Sequence, residues 1–198
     1  YNIKANFAMI DLKKITLVNE NQIKYRDPFL LHLELHCYEP GLPPNSTIIF
    51  DISFVSPSNE KEFEQKLGKF EIGSIRTGFN TFDLKVEGPD HSIVPEVDRF
   101  DISALIISCS YLDQEFVRVG YFVSFYVAEE MKEQIETMEK ISVEDVRRKI
   151  LENDVRVTRF SIDWNKSKLA NSEKLDNAKS FDGKLGENSN LVNNMEDE

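Results

Sequence analysis

QEFVRVGYFVSFY, residues 114–126, has the composition of a β-strand, because valine and aromatic residues make up most of it. Successive side chains of a strand point to opposite faces, so apolar residues occupy both faces here and Arg118 projects from one of them. DISALIISCSY, residues 101–111, precedes this stretch and is also apolar on both faces. The two stretches predict neighbouring antiparallel strands that border a core on one side.

The rest of the chain up to residue 127 repeats this style, with short segments rich in Val, Ile, Phe and Thr between clusters of turn residues. The predicted strands are residues 13–19, 29–38, 48–55, 70–75, 81–86, 101–111 and 115–125. Their number and spacing predict an all-β chain, an elongated immunoglobulin-like antiparallel β-sandwich. This fold has many unrelated functions, so it does not indicate one by itself.

The sequence changes in character after residue 128. Residues 129–139 and 142–153 are predicted as helices, and Ser142 is the candidate N-cap of the second one. The apolar stripe of that helix is Val143, Val146 and Ile150. Residues 155–164 (VRVTRFSIDW) return to the style of a strand. The prediction is therefore a sandwich with short helices in its C-terminal connections.

Composition divides the 198 residues into three parts. Residues 1–10 are expected to be a leader outside the fold, either disordered or foreign to the natural protein. Residues 11–164 are predicted as one immunoglobulin-like domain. Residues 165–198 are polar and acidic with few apolar side chains, which predicts a disordered tail.

The formal net charge of −11, from 24 basic and 35 acidic residues, limits the possible partners. Direct binding of nucleic acid is disfavoured because phosphate contacts need a basic surface. An acidic field instead favours encounter with basic proteins or peptides. No segment approaches the ~20 consecutive apolar residues of a membrane span. A nuclear or cytosolic protein is expected.

Cys37 and Cys109 both lie inside apolar segments. Such positions favour two buried free thiols over a disulfide. Both cysteines are therefore expected in the core.

The segment HLELH places His32, Glu34 and His36 on one face of a predicted strand. Residues two apart on a strand are separated by about 7 Å and residues four apart by about 13 Å, which is too far for two histidines to share one metal. A polar solvated face is predicted instead, with Phe29, Leu31, Leu33 and Leu35 in the core. The chain also lacks a glycine-rich phosphate loop and a CxxC pair, so no metal, cofactor or catalytic residue is predicted.

Pairing of residues 101–111 with residues 114–126 would create one shallow apolar surface with an arginine in it. Its members would be Ile102, Ala104, Ile106, Arg118 and Phe122. Either helices of the chain itself or a partner must cover this surface. The arginine favours a partner, because arginine is enriched in the cores of protein interfaces.

Three segments carry a resemblance to a known family: YRDPFLLHLELHCYE, QEFVRVGYFV and DVRVTRFSIDW. Together they resemble the anti-silencing function family of histone chaperones, over about residues 12 to 164. The resemblance implies an ATP-independent chaperone that binds one dimer of histones three and four. It implies that this binding blocks tetramer formation and serves nucleosome assembly and disassembly in the nucleus, and also in the cytosol during histone import.

The resemblance also implies site residues. The helix of histone three would lie against Val55, Ser58, Glu64, Asp98, Ile102, Ala104, Ile106, Arg118, Tyr121 and Phe122. The C-terminal tail of histone four would add as a strand at Ile107, Arg156, Val157 and Thr158. Without histones the chain is expected to be a monomer.

Three departures from the family pattern bear on these expectations. Ala104 stands where the family usually has valine, and Phe122 replaces a tyrosine. The loop EPGLPPNST after Tyr38 is longer and less acidic than its counterpart in the family. That loop belongs to a second site, through which related proteins bind a basic peptide of downstream histone-deposition factors. An immunoglobulin-like adaptor that binds another basic or helical peptide is the alternative function.

Overall fold

The structure is a computed structural model of the chain, and it describes residues 8–18, 23–57, 64–94, 101–127 and 142–165. The chain divides into two units, Tyr1–Trp164 and Asn165–Glu198. All the secondary structure described below belongs to the first unit. The predicted tail lies outside the described residues, except for its first residue.

The described residues form eight strands, one short 3-10 turn and no α-helix. The strands are β1 (Ile10–Leu17), β2 (Phe29–Cys37), β3 (Thr47–Val55), β4 (Gln65–Gly73), β5 (Gly78–Val86), β6 (Ser103–Tyr111), β7 (Gln114–Val127) and β8 (Val146–Arg159). One sheet has three strands in the order β1-β2-β5, and the other has five in the order β4-β3-β6-β7-β8. All paired strands are antiparallel, which confirms the predicted all-β sandwich.

The core lies between the two sheets, where alternate side chains of each strand are buried. On β2 the predicted core side chains are each at most 2 % exposed: Phe29, Leu31, Leu33 and Leu35. His32, Glu34 and His36 alternate with them on the other face of the sheet. The sequence prediction for this strand is therefore confirmed on both faces.

The segment after β8 closes one end of the core. The ring of Trp164 stacks on Tyr111 with centroids 5.6 Å apart and packs against Phe116 at 5.1 Å. The side chain of Gln114 donates to the carbonyl of Asp163 (3.0 Å) and accepts from the backbone N–H of Asp163 (3.1 Å). Trp164 therefore has a structural role, because it packs the C-terminal segment against β6 and β7.

The helix predicted over residues 142–153 is wrong. Only Val143–Asp145 forms a 3-10 turn, although Ser142 caps it as expected by accepting a hydrogen bond from the N–H of Glu144 (3.4 Å). From Val146 the chain continues as β8, which pairs with β7. The helix predicted over residues 129–139 lies outside the described residues.

The helix prediction failed because a charged residue occupies a buried position of β8. Val146, Arg148 and Ile150 are all buried, so the strand alternates with a period of two residues. An arginine in the middle of that series hides the alternation in the sequence. The remaining apolar spacing, Val143, Val146 and Ile150, then matches a helix.

Arg148 is only 3 % exposed because the loop before β2 supplies its hydrogen-bond acceptors. Its Nη1 donates to the carbonyl of Tyr25 (2.8 Å) and its Nη2 to the carbonyl of Pro28 (2.9 Å). The guanidinium also lies 3.7 Å from the centroid of the Phe29 ring. Burial lowers the pKa of Arg148 to about 10, so the side chain remains charged at neutral pH.

Both cysteines are free and buried, as predicted. Within the described residues, no helix is long and apolar enough to span a bilayer.

Candidate functional site: the outer face of the five-stranded sheet

The register of β6 and β7 brings the predicted surface together. Ala104 lies opposite Phe122, and Ile106 lies opposite Gly120. On the next strand, Val55 of β3 lies opposite Ala104. The same residues alternate with buried ones, so their side chains point away from the core. We call this surface the outer face; it comprises Val55, Ile102, Ala104, Ile106, Arg118, Gly120 and Phe122.

The outer face is apolar and accessible to solvent. Ile102, just before β6, is 53 % exposed, while Ala104, Ile106 and Phe122 are partly buried among their neighbours. No helix in the described ranges lies over these side chains. Two apolar faces on one strand pair are unusual in an antiparallel sheet, since one face normally meets water.

Small residues keep the middle of the outer face low. Gly120 has no side chain, and a Cβ atom at that position would lie 3.3 Å from Cδ1 of Ile106. Ala104 is the other small residue, and it lies between Val55 and Phe122 across three strands. The resulting shallow floor allows the backbone of a partner element to approach the sheet closely.

Strand β8 forms one border of the outer face and is the last strand of its sheet. Arg156 and Thr158 lie opposite Gly120 and Arg118 of β7. Val157 lies between them and is 47 % exposed. The far edge of this part of β8 pairs with no strand that the structure describes. Such an edge can accept an added strand through main-chain hydrogen bonds.

Arg118 is already paired within the chain. Its Nε donates to one carboxylate oxygen of Glu115 (2.7 Å) and its Nη2 to the other (2.6 Å), which is a bidentate pair. The guanidinium also lies 5.7 Å from the centroid of the Phe160 ring. The Arg118 side chain nevertheless remains 49 % exposed.

A β-bulge explains how Glu115 and Arg118 come to share a face. In a regular strand, residues three apart point to opposite faces. Here the pairing with β6 passes from Val117 directly to Glu115, so Phe116 is an extra residue in β7. Phe116 and Val117 are both buried. Glu115 and Arg118, which flank them, therefore both lie on the outer face.

The pair fixes the protonation of both side chains. The hydrogen bond to Glu115 raises the pKa of Arg118 above its ordinary value. Burial opposes ionisation of Glu115, but hydrogen bonds from Arg118 and Ser108 outweigh it and hold the pKa of Glu115 below its ordinary value. At neutral pH the pair is therefore fully ionised.

Glu64, just before β4, is another acidic residue near Arg118. A hydrogen bond from Lys66 is the main reason that the pKa of Glu64 is lowered, and the charge of Arg118 lowers it further. Glu64 is therefore ionised at neutral pH, and its carboxylate interacts electrostatically with the Arg118 guanidinium. The border of the outer face thus carries both signs of charge.

A sequence model of the ASF1 like histone chaperone family matches residues 7–165, which include every residue that the structure describes. The chain belongs to the ASF1 like histone chaperone family. Because this is a family of chaperones, the prediction of a non-enzymatic protein is confirmed at the level of the family.

Curated relatives agree with the family match. The chain is 28 % identical over 166 residues to "Histone chaperone ASF1" of Mycosarcoma maydis, which covers 83 % of this chain and 92 % of the relative. It is 32 % identical over 158 residues to "Histone chaperone ASF1" of Candida albicans, which covers 79 % of this chain and 62 % of the relative. It is 29 % identical over 180 residues to "Histone chaperone ASF1B" of Bos taurus, which covers 88 % of this chain and 85 % of the relative. The chain thus spans less than two thirds of the Candida albicans protein.

Most of the site residues predicted from the family lie on or beside the outer face. Val55, Ile102, Ala104, Ile106, Arg118 and Phe122 belong to it, Glu64 lies near Arg118, and Arg156, Val157 and Thr158 lie on the bordering strand. Their contact with a partner stays a prediction. Ser58 and Asp98 lie outside the described residues.

Two of the predicted site residues point into the core instead. Ile107 is 1 % exposed and lies opposite Val119 of the core. Tyr121 is 6 % exposed, and its hydroxyl donates to the carbonyl of Ile15 (3.5 Å). Both alternate with outer-face residues, so their side chains cannot take part in contacts on the outer face.

Sequence reasoning missed Glu115, although a local signal was present. Two consecutive apolar residues, Phe116 and Val117, separate two charged ones, which breaks the two-residue period of β7. Such a break is a sign of a bulge.

The loop after Tyr38 borders an open depression of about 1150 Å³ beside β1 and β5. Its charged lining residues are Asp11, Glu39 and Arg159, and Arg159 donates to Asp11 (3.5 Å). Little net negative charge is therefore offered to a basic peptide here. The second site implied by the family stays a prediction.

The polar face of β2 combines polar and aromatic contacts, and His36 packs against the rings of Tyr38 and Phe79. His32 hydrogen-bonds Asp83 (2.6 Å), and Glu34 pairs with Lys14 (3.8 Å). Among the described residues, no three His, Cys, Asp or Glu side chains are grouped so that they could hold a metal ion.

Proposed function

We propose that this protein is an ATP-independent histone chaperone that binds one dimer of histones three and four. Binding of the dimer to the outer face blocks the surface through which two dimers form a tetramer. The protein thereby acts in the assembly and disassembly of nucleosomes. Membership of the ASF1 like histone chaperone family supports the general role, and the outer face supports the site.

The single observation that carries the proposal is the outer face itself. It is an apolar, shallow surface on a sheet whose other side forms the core. The C-terminal helix of histone three lies across it, with its apolar side against Ala104, Ile106 and Phe122 and a carboxylate at Arg118. A stable complex of this kind buries about 800 Å² or more on each partner.

The charge of the chain supports a basic partner. With a net charge of −11, the protein attracts histones over a distance and speeds their encounter. Glu64 then meets a basic side chain of histone three. These contributions weaken as the salt concentration rises.

The exposed edge of β8 supports the second contact. The C-terminal tail of histone four adds to this edge as a strand, and main-chain hydrogen bonds provide affinity. Arg156, Val157 and Thr158 line the position. The chaperone is a monomer without histones, and it works in the nucleus and also in the cytosol during histone import.

Isothermal titration of the refolded dimer of histones three and four into the wild-type chain and Arg118→Glu tests the proposal. The wild type binds with a one-to-one ratio, and Arg118→Glu loses binding because a carboxylate then meets a carboxylate. Arg76→Glu is the matched control, since Arg76 is exposed in the loop between β4 and β5. Circular dichroism of all three proteins checks that the fold is kept. Retained binding by Arg118→Glu contradicts the site.

A competition experiment separates this function from a general adaptor. A peptide of the C-terminal helix of histone three displaces the histone dimer from the chaperone. A peptide that binds weakly and displaces nothing would favour the adaptor, which takes another basic or helical peptide.

A further inference from the structure

We propose that Glu115 is a positioning residue of the outer face, which holds one edge of the Arg118 guanidinium and leaves the other edge for a carboxylate of the partner. The inference rests on the proposed function and deepens it. It concerns a residue that the family resemblance did not indicate.

The number of donors allows both contacts at once. A guanidinium has five N–H donors, and a carboxylate binds two of them along one edge. Glu115 occupies the side edge, formed by Nε and one N–H of Nη2. The end edge, formed by Nη1 and the second N–H of Nη2, remains for a second carboxylate in the same plane. Glu115 and a partner carboxylate therefore need not compete for the same donors.

Glu115 is itself held in place. Ser108 lies opposite Arg118 on β6, and its hydroxyl helps to hold the pKa of the Glu115 carboxyl below its ordinary value. The bulge at Phe116 fixes the backbone beneath it. On the other side, the Phe160 ring lies 5.7 Å from the guanidinium. These contacts restrict a long side chain that would otherwise be ordered only when the partner binds.

Holding the Arg118 side chain in place raises affinity, because its conformational entropy is already lost in the free protein and is not lost again on binding. Immobilising one long, flexible side chain at an interface lowers affinity by about two- to tenfold. Removal of the Glu115 carboxylate therefore weakens binding by more than the loss of one negative charge from the acidic chaperone explains. A purely electrostatic role at this position, in which Glu115 repels a partner carboxylate, predicts the opposite sign.

The first measurement is made on the free protein. The Nε–H signal of Arg118 in a ¹⁵N-resolved NMR spectrum reports the hydrogen bond to Glu115. Slow exchange of this proton with water is expected in the wild type and in Glu71→Gln, and fast exchange in Glu115→Gln. Glu71 is an exposed residue of β4, so its variant removes one negative charge from the same sheet. Equal exchange in all three proteins contradicts the positioning.

The second measurement is titration of the histone three and four dimer into the same proteins. Glu115→Gln is expected to bind about fivefold more weakly than wild type, and Glu71→Gln within about twofold of it. Tighter or unchanged binding by Glu115→Gln overturns the proposal, and so does an equal loss in both variants. If wild type does not bind the dimer, the proposed function fails, and the exchange measurement alone decides the role of Glu115.

Ser108→Ala keeps the test decisive if Glu115→Gln does not fold. This variant keeps every charge and removes only the Ser108 hydroxyl, which helps to hold the pKa of Glu115 low. An affinity lowered by about threefold is expected, with faster exchange of the Arg118 Nε–H. An unchanged affinity and an unchanged exchange rate in Ser108→Ala contradict the proposal.

Discussion

Gly120 on β7 and Ile106 on β6 face each other across the middle of the outer face, and a Cβ atom on Gly120 would lie 3.3 Å from Cδ1 of Ile106. The isoleucine side chain therefore leans over the space that a larger residue would need. Because Gly120 has no side chain, a helix can approach β7 closely at this point.

Gly120→Val is expected to weaken binding of the histone dimer by about tenfold or more. The valine side chain raises the floor of the outer face and pushes Ile106 outward, so that a docked helix no longer fits. Thermal stability changes little, by about 1 kcal/mol or less, because valine favours a strand and Ile106 can move into solvent. Titration calorimetry and thermal denaturation measure the two effects.

Gly73→Val is the control for this prediction. Gly73 is exposed at the end of β4, and a Cβ atom there would make an ordinary contact of 3.5 Å with Cγ2 of Thr47. Its affinity for the dimer should match wild type. An equal loss of affinity in both variants would mean that valine perturbs the whole sheet and does not act through the outer face alone.

The outer face could be predicted from sequence because β6 keeps a regular two-residue period. In residues 101–111 both alternating series contain large apolar residues, so one apolar face must lie outside the core. The pairing of β6 with β7 followed from their adjacency in the chain. Ile107 and Tyr121 are expected from the family pattern to contact histones, but their side chains alternate with those of the outer face and are buried.

Other features depend on contacts that a sequence does not display. The Glu115–Arg118 pair requires the bulge at Phe116, which shifts the register of two strands. The buried Arg148 requires acceptors on Tyr25 and Pro28, more than a hundred residues earlier in the chain. Without those acceptors, a buried arginine in a strand is unfavourable, and a helix is the better prediction.

Arg148→Met is expected to destabilise the protein by about 2–3 kcal/mol. Methionine fills most of the volume, but the carbonyl groups of Tyr25 and Pro28 then lose their buried donors. Arg148→Lys should recover only part of the loss, because one ammonium group has to serve two carbonyls. Urea denaturation at neutral pH measures the free energy of unfolding of each variant.

Lys149→Met is the matched control, since Lys149 is the next residue on β8 and is exposed. A change within about 0.5 kcal/mol is expected for it. If Arg148→Met were no more destabilising than Lys149→Met, the two carbonyls would have to be satisfied by water, and the loop before β2 would not depend on Arg148.

The two thiols are expected to differ in reactivity. Burial raises the pKa of both, and that of Cys109 well above its ordinary value, so little thiolate forms at pH 8. Cys37 borders the open depression beside β1, whereas Cys109 lies within the core. Labelling with iodoacetamide, followed by mass spectrometry, should modify Cys37 first and Cys109 only slowly. Both should react at once in guanidinium chloride.

Labelling of Cys109 as fast as Cys37 in the native protein would contradict this order. It would mean that β6 opens frequently, and a stable outer face could not then be built on that strand.

The contribution of Glu115 to stability should depend on pH. Its pKa is lower in the folded protein than its ordinary value of 4.5, so its contribution is present at neutral pH and is lost as the pH falls through the folded pKa. The free energy of unfolding of wild type should exceed that of Glu115→Gln by about 0.5 kcal/mol at pH 7. The difference should shrink towards zero as the pH falls through the lowered pKa of Glu115. Urea denaturation of both proteins at pH 7, 5, 4 and 3 measures it. Other carboxylates titrate in both proteins, so they cancel in the difference between the two. A difference that stays constant or grows as the pH falls would show that Glu115 stabilises the fold through packing and not through its pair with Arg118.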